Sequence, residues 1–264
     1  MRIMTTNIWG DYFGNPTNVR EDGIFNVYEV YKPDVIGLQE VTNGWYESHL
    51  FERLSKEYFL VGTELTDNVN YVPMAVKKEY EILAKGYERL KDTPDESKAI
   101  TWAVIKHKET GMVAGVVNTH FWWKYGEEKY DLWRCENAEQ LSALMKYINE
   151  RFSCPVFSFG DMNGGRENRI FTDVYDKKDI IPLFDLASDR DDICSLHGDP
   201  VADKKGLYHG KTTDKDQTSS LDHILSLGKV GFKVLQYRVV TDSFALDATD
   251  HSPVFADVKF TNEV

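Results

Sequence analysis

The chain has 264 residues, 42% apolar and 28% charged, so it can bury a full core yet is short for two ordinary domains, and one domain spanning 1–264 is expected. Its 43 acidic and 31 basic side chains give a formal charge of −12, which opposes a non-specific hold on phosphate backbones or anionic lipid and speaks against a basic nucleic-acid binder. Cys135, Cys154 and Cys194 lack C-x-x-C spacing and suggest neither a disulfide framework nor a zinc cluster. With no leader-like apolar stretch in MRIMTTNIWG and no run near the roughly 18 apolar residues that span a bilayer, a cytoplasmic location without stable membrane association is expected.

Arg2 to Trp9 reads as a strand that delivers Asn7 to its end, and Gly10 with the Gly14-Asn15-Pro16 cluster breaks it. Helical spacing of Val19, Ile24, Val27, Tyr28 and Tyr31 predicts a helix from about Asn18 to Tyr31, closed by Lys32-Pro33-Asp34. Val35 to Leu38 is a buried strand with Glu40 at its exit, and Trp45 to Lys56 is a predicted helix with Leu50, Phe51 and Leu54 on one face. Four strands follow, Val72 to Val76, Tyr80 to Tyr87, Thr101 to Ile105 and Met112 to Thr119, the last two joined by a hairpin at Thr110-Gly111. Leu132 to Glu150 is a helix stopped by Pro155 before the strand Val156 to Phe159, with Asp161 just beyond. Residues 185–220 are polar and aperiodic, a long surface loop with room for a short helix and of the kind that carries substrate contacts. Leu221 to Leu227, Phe232 to Val240 and Pro253 to Phe260 are closing strands. Strands outnumber helices and several are apolar enough to be covered on both sides, as in two packed sheets with helices outside.

The polar groups at strand ends are Asn7, Glu40, Asn118, His120, Asp161, Asn163, Asp222, Asp250 and His251. Hard oxygen ligands without cysteine select magnesium, manganese or calcium over zinc, and such ions neutralise charge in phosphoryl transfer. A second aspartate beside His251 would fix its tautomer and raise its basicity. Strand alternation puts Asn118 and His120 on one face. Asp222, between Leu221 and Ile224, must find a partner if it is buried. Taken singly, Asp250-His251-Ser252-Pro253 and Gly160-Asp161-Met162-Asn163-Gly164 could each be ordinary turns.

The ordered set resembles the endonuclease/exonuclease/phosphatase superfamily. Its blocks are Thr5-Thr6-Asn7-Ile8-Trp9, Pro33-Asp34-Val35-Ile36-Gly37-Leu38-Gln39-Glu40, Val117-Asn118-Thr119-His120, Gly160-Asp161-Met162-Asn163, Leu221-Asp222-His223-Ile224 and Thr249-Asp250-His251-Ser252-Pro253. The resemblance implies an α/β fold, a four-layer α/β/β/α sandwich of two packed, mostly antiparallel sheets flanked by helices. It implies Glu40 as a ligand of the divalent cation with Asn7 beside it and Asp250 at the metal or the water. His251 would be the general base or acid, oriented by Asp222. Asp161 and Asn163 would position nucleophile and phosphate, and His120 would stabilise the phosphoryl oxygens. Asn118 and Arg134 are assigned to the substrate side, although Arg134 could equally pair with Glu136 or Glu139 at a helix start. Lys98-Ala99-Ile100-Thr101-Trp102-Ala103 resembles a stretch of compact bacterial members in which an arginine precedes Thr-Trp-Ala. A lysine there trades a bidentate fork for a point charge. Phe121-Trp122-Trp123 suits core packing or stacking on a substrate edge.

The expected activity is hydrolysis of a phosphodiester or phosphomonoester by activated water with Mg2+, or Mn2+, on a small-molecule or nucleic-acid phosphate ester. No protein partner is expected. The competing functions are a nuclease acting on DNA or RNA, a catalytically silent phosphate-binding protein on the same fold, and a metal-independent glycosidase with paired carboxylates.

Overall fold

Alternation of inward and outward side chains carries the apolar residues of this chain into three separate layers of core, and that layering sets the architecture. The structure, a computed structural model, describes residues 1–64, 69–91, 93–94, 96–212 and 220–261. The strands are β1 (Arg2–Asn7), β2 (Val35–Gln39), β3 (Tyr58–Val61), β4 (Met74–Lys77), β5 (Tyr80–Arg89), β6 (Ala99–His107), β7 (Val113–His120), β8 (Val156–Asp161), β9 (Ile180–Pro182), β10 (Val201–Ala202), β11 (Tyr208–His209), β12 (Asp222–Leu227), β13 (Phe232–Val239) and β14 (Val254–Phe260). The helices are α1 (Glu21–Tyr31), α2 (Asn43–Glu47), α3 (Leu50–Leu54), α4 (Glu128–Phe152), α5 (Leu183–Leu186) and α6 (Ser243–Leu246).

Two six-stranded sheets have the orders β13-β14-β1-β2-β4-β3 and β5-β6-β7-β8-β12-β9, and β10-β11 is a separate ribbon. Each large sheet is antiparallel except for one central pair, β1 with β2 and β7 with β8. Between the sheets lie Ile3, Val35, Val76, Val116, Phe157, Phe159 and Ile224. Their sequence neighbours face outward: Met4 and Ile36 pack with Ile24, Val27, Trp45 and Leu50 of the first helical layer, and Val117 and Val156 pack with Leu141, Leu144 and Ile148 of α4. The result is the expected four-layer α/β/β/α sandwich.

Toward one end of the inter-sheet space the inward positions change from apolar to polar. Thr5 bonds to Gln39 (3.1 Å), Gln39 donates to Asn118 Oδ1 (2.6 Å), and Asn118 Nδ2 donates across to the carbonyls of Leu38, Val72 and Pro73. The sheets approach closely here. A Cβ on Gly37 would lie 2.4 Å from the Phe159 ring and 2.6 Å from Asn118 Oδ1.

The predicted helix Trp45 to Lys56 is two short helices, α2 and α3. Ser48 is extended (ψ 172°), and its hydroxyl donates to Trp45 O and accepts from Leu50 N, a local alternative to the helical ladder. The loop 185–220 carries the ribbon β10-β11, and its residues 213–219 lie outside the described residues. β3, β9, α5 and α6 were too short to show a period in the sequence. No described helix is long and apolar enough to cross a membrane.

Candidate active site

The inward alternation that runs through Ile3, Thr5 and Asn7 in β1 runs likewise through Phe157, Phe159 and Asp161 in β8. It therefore delivers both polar side chains to the same end of the inter-sheet space. The ends in question are the carboxyl ends of the two parallel pairs. His120 of β7 is in register with Asp161 of β8, and Asp161 is in register with Asp222 of β12, so three site residues occupy one row of the second sheet. From the first sheet, Asn7 reaches over with Nδ2 3.0 Å from Asp161 Oδ2 and 3.2 Å from Glu40 Oε1. Its Oδ1 accepts from Trp9 N (3.0 Å), and Glu40 Oε2 accepts from Gly10 N (3.0 Å). Trp9, Glu40 and Asn163 all adopt positive φ (54°, 60° and 47°), a turn of backbone unusual for non-glycine residues that concentrates here at strand exits.

His251 Nδ1 lies 2.7 Å from Asp222 Oδ2, while Nε2 lies 3.9 Å from Asp161 Oδ2. Burial by itself would depress the His251 pKa, but the carboxylates of Asp222, Asp250 and Asp161 outweigh it and raise the ring well above its ordinary value. Asp161 is pushed up to about 7, chiefly by burial and then by Asp222, against the lowering effect of His251. Asp250 is pushed up to about 6 by burial and by Glu40, with His251 opposing. Asn163 donates its backbone N–H to Asp161 Oδ1 (2.9 Å) and its amide to Phe121 O (3.1 Å). His120 Nε2 stands 3.5 Å from Asp161 Oδ2.

These carboxylates fit a divalent cation. Asp161, Asp222 and His251 offer ligand atoms within 4.8 Å of one another, and Asp222 Oδ1 is buried without a partner among the described residues. Asp222 Oδ2 and the Nδ1 of His251 already satisfy each other, however. The oxygens that the Asn7 amide draws together, those of Glu40 and Asp161, are therefore the better-placed hard donors, with Asp250 close enough to Glu40 to feel its charge.

Two residues expected at the substrate make their hydrogen bonds within the protein, Arg134 through both of its terminal nitrogens. Asn118 is fully buried and ties the sheets together through the four bonds given above. Arg134 of α4 is also buried and donates to the carbonyls of Trp122 (3.0 Å) and Lys124 (2.7 Å) and to Asp131 (2.6 Å), so it pairs with neither Glu136 nor Glu139 and instead anchors the aromatic segment. Within that segment Phe121 and Trp122 are core residues, whereas Trp123 is 51% exposed.

Three neighbours of the site stand outside the expected set of site residues, although the sequence marks Lys98 as the lysine in place of an arginine ahead of Thr101-Trp102-Ala103. Lys98 is buried, with Nζ 2.9 Å from His120 Nε2; burial and then this ammonium hold His120 well below the usual imidazole range. His197, in the loop read as polar, aperiodic and suited to substrate contacts, donates its backbone N–H to Asp250 O (3.0 Å), and burial holds its ring at about 4. Arg20 is sandwiched between Trp9 and Trp45 and donates to the carbonyls of Ile8, Trp9, Pro16 and Ala248, so it ties the β1 exit to the segment that bears Asp250. The signal for Arg20 was a lone cation in an otherwise amphipathic helix start.

No protein-family model matches the chain. Over a 295-residue alignment it is 26% identical to exodeoxyribonuclease III of Haemophilus influenzae, covering 98% of this chain and 100% of the relative. An endonuclease/exonuclease/phosphatase family protein from Bacteroides thetaiotaomicron superposes with a TM-score of 0.74 at 20% identity, covering 100% of this chain and 96% of that one. A mannosyl-6-phosphatase from the same organism gives a TM-score of 0.71 at 20% identity, covering 98% and 100%. The chain is thus similar over its whole length to exodeoxyribonuclease III and shares the fold of endonuclease/exonuclease/phosphatase family proteins, and its six motif blocks converge on one end of that sandwich.

Proposed function

We propose that the chain is a divalent-metal-dependent phosphoesterase that hydrolyses a phosphate ester by attack of water on phosphorus. The observation that carries this reading is the His251–Asp222 hydrogen bond of 2.7 Å, with His251 Nε2 directed toward a buried carboxylate, Asp161. Glu40, Asn7 and Asp250, joined by Asp161, would hold Mg2+ or Mn2+. When bound, such an ion neutralises charge on the phosphoryl oxygens.

The residues then divide the work. Asp222 accepts a hydrogen bond from Nδ1–H of His251 and fixes the tautomer, which leaves Nε2 to exchange a proton with the water. Asp161, held by the Asn7 amide and by Asn163 N–H, orients that water. As the water oxygen bonds to phosphorus and gives up a proton, the P–O bond to the ester oxygen breaks and that oxygen takes up a proton from solvent water, while the Asn163 amide and His120 stabilise the oxygens of the pentacoordinate state. Asn118 and Arg134 act as positioning residues, the first for the sheet spacing and the second for the segment 122–125.

Hydrolysis of bis(p-nitrophenyl) phosphate and p-nitrophenyl phosphate, with magnesium, manganese or excess chelator, tests the reading. Release that needs metal and falls at least about 100-fold in Asp161→Asn and in His251→Ala supports it. Well-folded variants with near wild-type turnover overturn the roles. The relatives include both a nuclease and a phosphatase, so the ratio of the two substrates is what separates diesterase from monoesterase. Tight calorimetric binding of a non-hydrolysed phosphate analogue without turnover would favour a silent binding protein.

A further inference from the structure

Beside the site opens a cleft of about 470 Å³, walled by Tyr125, Asp131, Glu167 and Arg169 and by Leu196 and Leu221. It adjoins the reacting centre on two sides: Leu221 precedes Asp222, and Tyr125 is near enough to Asp161 to feel its charge. Tyr125 is half exposed, yet its ring lies under the Arg134 guanidinium at 4.7 Å, and Arg134 also clamps the carbonyls on either side of Trp123, so this aromatic wall is held in place. The volume suits a small molecule.

The charges of the cleft are unequal in availability. Asp131 is bonded to Arg134 at 2.6 Å, and Arg169 to Asp173 at 2.8 Å. Glu167, in contrast, is exposed and makes no hydrogen bond or ion pair among the described residues. The cleft therefore offers an aromatic and aliphatic wall and one available carboxylate, with its single cation already neutralised. A carboxylate has acceptors only, and it suits a pair of adjacent hydroxyls. A second phosphate seated there would meet like charge.

We propose that this cleft takes the alcohol part of the ester, and that the preferred substrate is one phosphate on an uncharged, ring-bearing polyol with adjacent hydroxyls, Glu167 accepting from the hydroxyls and Tyr125 packing on the ring. The proposal rests on the phosphoesterase reading. It assigns Tyr125 and Glu167 to specificity, and it disfavours polynucleotides and bisphosphates.

Steady-state kinetics with magnesium on glucose 6-phosphate, adenosine 5′-monophosphate, glucose 1,6-bisphosphate, a dinucleotide and p-nitrophenyl phosphate tests it. The sugar and the nucleotide monoester separate the two sources of a ring diol. At least one of them is expected to exceed the bisphosphate and the dinucleotide in kcat/KM by about tenfold or more. Glu167→Gln is expected to raise KM for that ester about tenfold with little change in kcat. Glu167→Lys is expected to narrow the gap to the bisphosphate, which a merely structural glutamate would not do. If p-nitrophenyl phosphate and bis(p-nitrophenyl) phosphate are both untouched by the wild type, the phosphoesterase reading falls and takes the proposal with it. If they are hydrolysed but the dinucleotide or the bisphosphate is preferred, or both Glu167 variants keep the wild-type preference, the cleft assignment alone is overturned.

Discussion

His251 Nδ1 and Asp222 Oδ2 stand 2.7 Å apart although 29 residues separate them in sequence, and both side chains are buried. The contact joins the start of β12 in the second sheet to the segment that enters β14 of the first. It sets the orientation of the reactive imidazole through one hydrogen bond between distant segments. Asp222→Asn leaves the shape intact but offers an amide where an acceptor is needed. Turnover is expected to fall by about 100-fold to 10,000-fold while the melting temperature moves by only a few degrees, measured by steady-state kinetics beside thermal denaturation. A variant within threefold of wild type would remove Asp222 from the mechanism.

Metal should stabilise the fold as well as drive the reaction. Burial raises Asp161 to about 7 and Asp250 to about 6, so at pH 8 both are ionised at a cost that a cation relieves. Magnesium at about 100 times its dissociation constant contributes about 2.7 kcal/mol, a rise of roughly 5–10 °C for a chain of this size. Differential scanning calorimetry with and without chelator reads this directly. The shift should shrink strongly in Glu40→Gln and persist in Lys177→Ala, whose side chain lies on the exposed surface.

Loss of stability in acid has a traceable source in His223. Its Nε2 meets Gly164 O at 2.9 Å, Phe171 packs on it edge to face, and burial holds its pKa down to about 4. A folded-state pKa below the unfolded value of about 6.5 means that the unfolded chain binds the proton first. The contribution is fully present above pH 6.5 and is lost as pH falls toward 4, up to about 3 kcal/mol at order of magnitude. Glutamine can still donate to Gly164 O. Urea titrations of His223→Gln between pH 7 and pH 4 should therefore show a shallower loss of stability than wild type, and an unchanged slope would contradict this assignment.

Gly37 tests the close approach of the sheets. An added Cβ would meet the Phe159 ring at 2.4 Å and Asn118 Oδ1 at 2.6 Å, both in the packed inter-sheet space. Gly37→Ala is expected to cost about 1–3 kcal/mol and to lower turnover, because Asn7 and Asp161 are delivered from the two sheets being forced apart. Equal stability by chemical denaturation would mean that the sheets yield without consequence.

Much of this was legible in the sequence because it follows from local rules. The period of two placed Asn118 with His120 on one face, the first strand carried Asn7 to its end, and several apolar strands required cover on both sides. The six blocks placed Asn7, Glu40, His120, Asp161, Asn163, Asp222, Asp250 and His251 at element ends, and the fold brings them to one end of the sandwich. Tertiary structure alone decided which polar groups remain available there. Asn118 and Arg134 look as competent as their neighbours in the chain, yet burial obliges their groups to bond to carbonyls that lose water when the sheets close. Tyr125, Glu167 and His197 acquire their places from loops whose course depends on long-range packing, to which no local period points. A sequence specifies which faces must be buried, but which donor faces which acceptor depends on the distance between segments far apart in the chain, and that is fixed only when the two sheets meet.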